Sequence, residues 1–489
     1  TYTDWRQIEP PMPIGEHLVQ GMNLDWRRFV TDRHIDFCKS EIEPLREITP
    51  HIPVTTNFMG FFRGVDYRRF AEILDVVSWD SYPCWHATDS ELETAASVAM
   101  AHDMNRSLKH GRPFLMMEST PSTTNWMPHA KLKRPGMHLL SSLQAIAHGS
   151  DSVQYFQWRK SRGSAEQFHG AVVDHAGHEN TRVFRDVARV GAALEKLDDV
   201  VGTTVPAKAA LIFDWDVRWA IDDALAITTQ ERRDYVGTCR NHYAPLWRRG
   251  IGVDVIGQND GFEGYEVLIA PMLYLVHPGV GERIEAFVKA GGTFVATYWS
   301  GIVNEYTQCF LGGFPGPLRT VLGIWSEEID TIYPHDSNEL VQSADNGLGL
   351  DGPYGVHTLC DLIHTEGARV LATYGCDFYA GRPALTVNRF GNGRAYYIAA
   401  RTDNRFLDDF YGAVVEELSL PRAVTTELPE GVIAARRTDG ENDFVFLMNF
   451  TAREQTVDPG AEDCTDMLSG ESVSGAVRLE GYGVRVLRR

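Results

Sequence analysis

An apolar run, a carboxylate and a polar loop follow one another in Pro113-Phe-Leu-Met-Met-Glu-Ser-Thr-Pro-Ser-Thr-Thr-Asn-Trp126. The uninterrupted hydrophobicity up to Met117 is typical of a strand that is buried on both faces of a parallel sheet. Burying the carboxylate of Glu118 at the strand end is costly unless the group has partners or a function. We therefore expect Glu118 to be either a salt-bridged strand end or a nucleophile or general base at the edge of a sheet.

Units of strand and helix recur on both sides of this run. Apolar runs predict further strands, and helical spacing of apolar residues predicts the helices between them: strands at 53–59, 76–82 and 152–157, helices at 27–48, 67–74, 90–110, 136–148 and 180–197. Polar residues gather where the strands end, namely Asn57, Asp80, Tyr82, Gln157 and Trp158. In a β/α barrel these ends line the active site, but a barrel has eight units. The pattern alone therefore does not decide between part of a barrel and a doubly wound sheet.

The rest of the chain predicts two further domains. Strands at 208–214, 265–271 and 291–297 with a helix at 283–290 indicate a smaller α/β domain, and short alternating runs after residue 432 indicate a small all-β domain. We place the boundaries at 1–198, 199–420 and 421–489. This fits the length of 489 residues, because domains average about 150 residues.

Composition excludes several classes of protein. The 46 Lys and Arg against 66 Asp and Glu give a net charge of −20, which disfavours a nucleic-acid partner. The longest apolar run, Val267 to Val276, is too short to cross a bilayer, and the opening residues lack the pattern of a signal peptide. The seven cysteines show no C-x-x-C spacing, so we expect reduced thiols, no metal site, no cofactor and a cytoplasmic location.

Two groups of residues suggest binding of a sugar. Trp126 follows Glu118 closely, and an indole near a carboxylate suits a sugar ring, although a single Trp is also compatible with simple packing. Glu166 and His169 are three residues apart and share a face on a helical turn, where they could bind neighbouring hydroxyls or form a solvated turn. The motifs G-x-S-x-G, H-E-x-x-H and the P-loop do not occur in the sequence, and Cys239 lacks the glycine that a nucleophilic elbow needs.

Four segments resemble glycoside hydrolase family 42, the family of bacterial β-galactosidases. The run from Phe114 to Trp126 resembles the nucleophile strand, and the others resemble further barrel segments: Val76-Val-Ser-Trp-Asp-Ser-Tyr-Pro83, Asp151-Ser-Val-Gln-Tyr-Phe-Gln-Trp-Arg159 and Tyr2-Thr-Asp-Trp-Arg-Gln-Ile-Glu-Pro-Pro11. The resemblance implies an α/β chain: the C-terminal half of a TIM (β/α)8 barrel, then a Rossmann-like (glutamine amidotransferase-like) domain, then a small β-sandwich. It also implies a homotrimer.

The resemblance also implies roles for individual residues. Glu118 matches the nucleophile of a retaining β-galactosidase that works by double displacement. The residues implied to bind the galactosyl group are Trp126, Phe156, Glu166, His169 and Tyr82.

One catalytic residue of the family has no counterpart here. The family's acid/base glutamate follows an asparagine upstream of the segment that resembles Thr1 to Pro11, and Asn304-Glu305 and Asn338-Glu339 lie in the predicted second domain. We therefore expect an N-terminally truncated chain that is inactive by itself. Two alternatives remain: a non-catalytic carbohydrate-binding or trimeric scaffold module, or the same fold acting on α-L-arabinopyranosides or β-D-fucosides.

Overall fold

A computed structural model of the 489-residue chain describes residues 3–11, 19–87, 90–460 and 463–489. Tyr2, the first residue of the opening motif, lies outside the described residues. Short 3-10 turns connect the regular elements at Trp5–Gln7, Asp198–Val200, Gln230–Arg233 and Gly316–Leu318.

The first third of the chain alternates between strands and helices. In the described part, four strands form one parallel sheet in the order of the sequence: β1 (Asn57–Phe58), β2 (Ser78–Ser81), β3 (Phe114–Ser119) and β4 (Ser150–Val153). The helices are α1 (Gln20–Ile48), α2 (Tyr67–Ala71), α3 (Leu92–Ser107), α4 (Met137–Ala147) and α5 (Arg182–Leu194). The predicted order of strands and helices in this region is confirmed.

The boundaries of most elements differ from the prediction; the first strand, for example, is limited to Asn57–Phe58 instead of residues 53–59. Helix α1 begins at Gln20 instead of residue 27 and continues through Pro44. Strand β4 begins at Ser150 and ends at Val153, so Phe156 follows the strand instead of belonging to it. The regular pairing of β3 with β4 ends at Met116 and Val153, and a single hydrogen bond from the backbone N–H of Phe156 to the carbonyl of Ser119 still holds Phe156 at the end of β3.

The middle of the chain forms a large mixed sheet with a parallel and an antiparallel part. Its strands are β5 (Ala209–Ile212), β6 (Val253–Ile256), β7 (Val267–Ala270), β8 (Thr293–Thr297), β9 (Ile324–Thr331), β10 (Asn338–Gln342), β11 (Tyr354–Thr365), β12 (Arg369–Tyr374), β13 (Pro383–Phe390), β14 (Gly393–Ile398) and β15 (Ala400–Thr402). The order β6-β5-β7-β8-β14 is parallel, and antiparallel β13-β12-β10-β11 continues it, with β9 and β15 both on β11. The sequence predicted the parallel strands β5, β7 and β8 but not the antiparallel part.

Five helices belong to this middle region: α6 (Trp215–Asp223), α7 (Tyr235–Arg248), α8 (Val280–Ala290), α9 (Arg319–Leu322) and α10 (Asn404–Leu418). Cys239 is buried inside α7, where burial raises the pKa of its thiol. A buried, protonated thiol within a helix is not an activated nucleophile, in agreement with the structural role expected for Cys239.

The end of the chain is all β. Its strands are β16 (Val432–Thr438), β17 (Asp443–Asn449), β18 (Gln455–Val457), β19 (Cys464–Asp466), β20 (Ser472–Val473), β21 (Val477–Leu479) and β22 (Val484–Arg488). Within residues 421–460 and 463–489 they form a five-stranded sheet, β16-β17-β22-β19-β20, and a two-stranded sheet of β18 and β21.

Two buried arginines connect the first sheet to the rest of the chain. The guanidinium of Arg437 donates to the carbonyls of Ile146, Ser150 and Thr203 at the base of β4. Arg106, in α3, pairs with Asp103 and donates to the carbonyl of Val253 in β6. Each guanidinium donates hydrogen bonds across the boundary, so these contacts fix the sheet that bears Glu118 against both neighbouring regions.

Among the helices of the described ranges, none combines the length and the hydrophobicity that a membrane span requires.

Candidate active site

A cavity of about 540 Å³ opens where β2, β3 and β4 end. It is lined by Met59, Gly60, Trp79, Asp80, Tyr82, Glu118, Trp126, Phe156, Glu166 and His169. All six residues that the sequence analysis singled out are therefore brought to one place. Polar groups at the carboxyl ends of parallel strands meet at one edge, which explains how segments more than 80 residues apart form one site.

Glu118 is positioned by its strand and by a tyrosine from the neighbouring strand. It lies near the end of β3, is half-buried, and its Oε2 accepts a hydrogen bond of 2.6 Å from the hydroxyl of Tyr82. Burial raises the pKa of Tyr82, and the hydrogen bond to Glu118 raises it further. The phenol therefore keeps its proton and acts as a donor to the carboxylate, while Oε1 of Glu118 forms no hydrogen bond within the described residues.

Aromatic rings form one wall of the cavity. The ring of Tyr82 meets Trp126 edge-to-face at 5.5 Å between centroids, and it meets His169 at 5.7 Å. Trp126 is 57% exposed, far more than an indole that serves only to fill a core. An exposed aromatic beside a carboxylate is the arrangement expected for a surface that receives the C–H face of a sugar.

Glu166 and His169 lie together on this wall, as their spacing predicted. His169 is buried, its Nδ1 lies 2.9 Å from Oδ1 of Asn125 and 3.4 Å from Oε2 of Glu166, and its ring contacts Phe156 at 4.9 Å. Burial lowers the pKa of His169, partly offset by Glu166, so the imidazole is neutral near neutral pH. In the described residues, Nε2 of His169 and Oε2 of Glu166 have no hydrogen-bond partner. Both atoms are thus available to the hydroxyls of a ligand.

Asp80 is a site residue to which the sequence analysis assigned no role. It pairs with Glu118 in the register between β2 and β3, and its Oδ2 accepts a hydrogen bond of 2.5 Å from Asn57. Burial raises the pKa of Asp80 to about 6; the hydrogen bond from Asn57 opposes this shift, and the charge of Glu118 adds to it. The sequence could have indicated this position, because Asp80 and Tyr82 are two residues apart in the predicted strand at 76–82, and residues at this spacing point to the same side of a strand.

Some polar residues near the strand ends do not belong to the cavity. Trp158 is 67% exposed and does not line it, and neither Asn304-Glu305 nor Asn338-Glu339 does. Asn338 and Glu339 begin β10 in the large mixed sheet. The part of the chain that the structure describes holds no cluster of three His, Cys, Asp or Glu side chains suited to a metal ion.

Three family models match consecutive parts of the chain. Residues 1–197 match a family described as beta-galactosidase, within glycoside hydrolase family 42. Residues 207–421 match the beta-galactosidase trimerisation domain, and residues 431–489 match the beta-galactosidase C-terminal domain.

Individual proteins and solved structures are similar over the whole chain. The beta-galactosidase Pbg of Clostridium perfringens is 56% identical over 492 residues, which cover 100% of this chain and 71% of that protein. The beta-galactosidase BglY of Alicyclobacillus acidocaldarius is 54% identical, with the same coverage. The crystal structure of the β-galactosidase from Rahnella sp. R3 superposes with a TM-score of 0.96 at 56% identity, covering 100% of this chain and 71% of that one.

Proposed function

The chain belongs to glycoside hydrolase family 42 and is a glycosidase of the β-galactosidase type, and we propose that it cleaves terminal β-D-galactosyl residues with Glu118 as the nucleophile. The observation that supports this assignment most directly is the position of Glu118. Its carboxylate is half-buried at the end of β3, held by Tyr82, and faces a cavity of sugar-binding character.

The proposed reaction is a double displacement. The free Oε1 of Glu118 attacks the anomeric carbon, the bond to the leaving oxygen breaks, and a galactosyl ester forms on Glu118. The leaving oxygen takes a proton from a second carboxylic acid, which then removes a proton from the water that hydrolyses the ester. Two inversions at the anomeric carbon give net retention. Tyr82 keeps Oε2 oriented and compensates its charge before the attack.

The sugar is proposed to bind against the aromatic wall. The exposed indole of Trp126 offers a surface for the C–H face of galactose, and Phe156 packs behind His169. Nε2 of neutral His169 can accept from one hydroxyl and Oε2 of Glu166 from a neighbouring one. Within the described residues these two buried atoms have no hydrogen-bond partner, which costs stability. Binding of the sugar hydroxyls would supply the partners.

The second carboxylic acid is the element that the cavity does not supply. In retaining glycosidases it lies about 5–5.5 Å from the nucleophile and flanks the scissile bond from the other side. Asp80 stands directly beside Glu118 in the sheet and so does not meet this requirement. Following the family resemblance, we assign the acid/base role to a glutamate on a barrel strand that precedes the segment at residues 1–11. The four-stranded sheet is then the C-terminal half of a barrel, and these 489 residues alone do not turn over β-galactosides.

Covalent labelling tests the nucleophile without a need for the acid. The reagent is a dinitrophenyl galactoside in which fluorine replaces the hydroxyl next to the anomeric carbon, hereafter the fluorosugar. Dinitrophenolate leaves without protonation, and the fluorine slows hydrolysis of the ester. We expect one fluorogalactosyl group per chain, located on Glu118 by peptide mass analysis, and none on Glu118→Gln. Labelling of another residue, or of Glu118→Gln, would contradict the assignment.

We also propose that the chain forms a homotrimer. Support comes from the match of residues 207–421 to a trimerisation domain and from large exposed apolar side chains in that region: Tyr306, Leu311, Tyr333 and Phe378. Light scattering should give three times the chain mass of 54.8 kDa. A monomer at micromolar concentration would exclude the trimer.

A further inference from the structure

Lys133 is a buried lysine that the proposed chemistry does not use. The residue is only 8% exposed to solvent. Its Nζ donates to the carbonyl of Thr120 at 2.6 Å and lies 3.3 Å from Nδ1 of His138. Within the described ranges no carboxylate lies within 4.0 Å of this amine. Lysines are almost never fully buried unless they are paired with an opposite charge, so this position needs an explanation.

The contacts of Lys133 connect two segments of the sugar site. Thr120 is two residues beyond Glu118, at the point where the chain leaves β3. On the other side, Nε2 of His138 lies 3.2 Å from the hydroxyl of Tyr155, whose ring stacks on the imidazole, and Tyr155 directly precedes Phe156. The amine of Lys133 thus lies between the segment that follows the nucleophile and the segment that leads to Phe156.

Thr120 in turn begins a compact turn, residues 120–125, that supports the whole sugar-binding wall. Within the turn, Oγ1 of Thr120 donates to the carbonyl of Thr123. The turn also binds the segment of Glu166 and His169 through four further hydrogen bonds. The backbone amide of Gly170 donates to the Thr123 carbonyl at 2.7 Å, and the Thr123 hydroxyl donates to the Phe168 carbonyl at 3.2 Å. The side-chain amide of Asn125 donates to the Ala165 carbonyl at 2.6 Å, and its Oδ1 accepts from Nδ1 of His169 at 2.9 Å.

The close packing of this turn makes it sensitive to its anchor. A Cβ at Gly170 would lie 2.7 Å from Oγ1 of Thr120 and less than 3.0 Å from the amides of Ser122 and Thr123. Trp126 follows the turn directly, so its position depends on the same backbone. A displacement of Thr120 would therefore move Trp126, Glu166 and His169 together.

The environment of Lys133 makes its amine much easier to deprotonate than an exposed lysine. Burial, together with the nearby charge of Arg182, lowers its pKa to about 7, and the charge of Asp186 opposes this shift. Burial and the neighbouring Lys133 also lower the pKa of His138, so the imidazole is neutral. A neutral amine has two donors, which match the carbonyl of Thr120 and Nδ1 of His138, while His138 can donate to Tyr155. This hydrogen-bond pattern is complete without any added proton.

We propose that Lys133 is a positioning residue of the sugar site: its ε-amine anchors the turn of residues 120–125 from the interior and thereby sets the positions of Trp126, Glu166 and His169. The inference rests on the proposed function for its consequence in sugar binding. Its structural part, the anchoring of the turn, stands on the hydrogen bonds alone.

The test compares Lys133→Met with the matched control Lys131→Met. Lys131 lies two residues away on the same segment but is exposed, and its amine donates to the carbonyl of His86 instead of to the turn. Labelling by the fluorosugar gives an apparent binding constant and a maximal rate separately. For Lys133→Met we expect binding weakened about tenfold and a maximal rate within about threefold, because the wall moves while Glu118 and Tyr82 stay in place. Lys131→Met should match the parent in both values.

A milder variant covers the case in which Lys133→Met does not fold. Tyr155→Phe keeps the ring stacked on His138 and removes only the hydroxyl, so binding should weaken by about threefold. Unchanged fluorosugar binding in Lys133→Met, or in Tyr155→Phe where the first variant is unfolded, would overturn the proposal. An equal loss of binding and maximal rate in Lys133→Met would also overturn it, because that indicates general structural damage.

Hydrogen exchange separates this proposal from the proposed function. In Lys133→Met, the amides of Ser122 and Gly170 should exchange faster, while those of Leu115 and Met116 in β3 stay protected. This measurement needs no ligand. If the parent itself is not labelled, the proposed function fails and the exchange decides the anchoring alone: faster exchange confined to the turn supports it, and unchanged exchange refutes it.

Discussion

The hydroxyl of Tyr82 lies 2.6 Å from Oε2 of Glu118 and joins the ends of two neighbouring parallel strands. The donor keeps its proton because burial and the adjacent carboxylate both raise the pKa of the phenol. The same two strands place Asp80 beside Glu118, so Glu118 has one neighbour that stabilises its negative charge and one that opposes this charge when ionised.

Removal of the Tyr82 hydroxyl should slow the attack by Glu118. In Tyr82→Phe the carboxylate loses a hydrogen bond to a charged group, and we expect the maximal rate of fluorosugar labelling to fall about 10- to 100-fold. Apparent binding should change little, because the aromatic ring that meets Trp126 remains. Tyr333→Phe, at a position that is 70% exposed in another part of the chain, is the control. An unchanged maximal rate in Tyr82→Phe would remove Tyr82 from the mechanism.

Asp80 should make stability depend on pH in a defined direction. Its folded-state pKa of about 6 is above the ordinary value of 3.8, so the folded chain holds this proton more tightly than the unfolded chain. The resulting stabilisation is complete below about pH 4 and is lost as the pH rises through about 6. The side chain of Asp80→Asn still accepts the hydrogen bond from Asn57 but cannot ionise. The free energy of unfolding of this variant should therefore be higher than that of the parent at about pH 8.

We expect a gain of about 1 kcal/mol at this pH, reduced from the full shift because Asp80 is partly exposed. The gain should disappear at about pH 4. Urea denaturation at both pH values measures it, with the exposed Asp345→Asn as the control. A gain of the same size at both pH values, or a loss at about pH 8, would show that ionised Asp80 does not destabilise the site.

The acid/base residue that we propose to lie outside these 489 residues can be supplied as a separate polypeptide. The part of the Clostridium perfringens relative that this chain does not match should restore turnover of a nitrophenyl galactoside when mixed with this chain. The first third of the chain exposes apolar residues for such a partner, among them Phe37 of α1 at 64% and Met59 after β1 at 54% exposed. Phe37→Asp should weaken the complementation, whereas Val341→Asp, at an exposed position of β10 in the mixed sheet, should not. Efficient turnover by the 489 residues alone would contradict the account.

Local patterns predicted the elements that bear the site. The continuous apolar run before Glu118 specified β3, and helical spacing found α3, α4 and α5, because burial in a parallel sheet leaves such patterns directly in the sequence. The antiparallel strands at residues 324–402 escaped prediction although β12, β13 and β14 pair with their neighbours in the sequence, since strand formation depends on packing contacts that exist only in the folded chain.

The residues that position the site could not be predicted for the same reason. Lys133 appears in the sequence as one of several basic residues in a polar loop, and only the folded chain brings it to Thr120 and His138. Asn125 likewise gains its meaning from His169, 44 residues away. By contrast, the family resemblance singled out Glu118 and the residues proposed to bind the sugar, because these lie in or beside short motifs, each of which is continuous in the sequence.

The configuration of the product formed with azide shows whether Glu118 is a nucleophile that lacks its acid/base partner. With an unfluorinated dinitrophenyl galactoside, Glu118 should form the galactosyl ester without an acid, and azide should release it without a base. We predict that azide accelerates the release of dinitrophenolate by this chain. Nuclear magnetic resonance should then identify the product as β-galactosyl azide. An α-galactosyl azide, or no azide product together with rapid formation of galactose, would contradict the claim that Glu118 is a nucleophile lacking its acid/base partner.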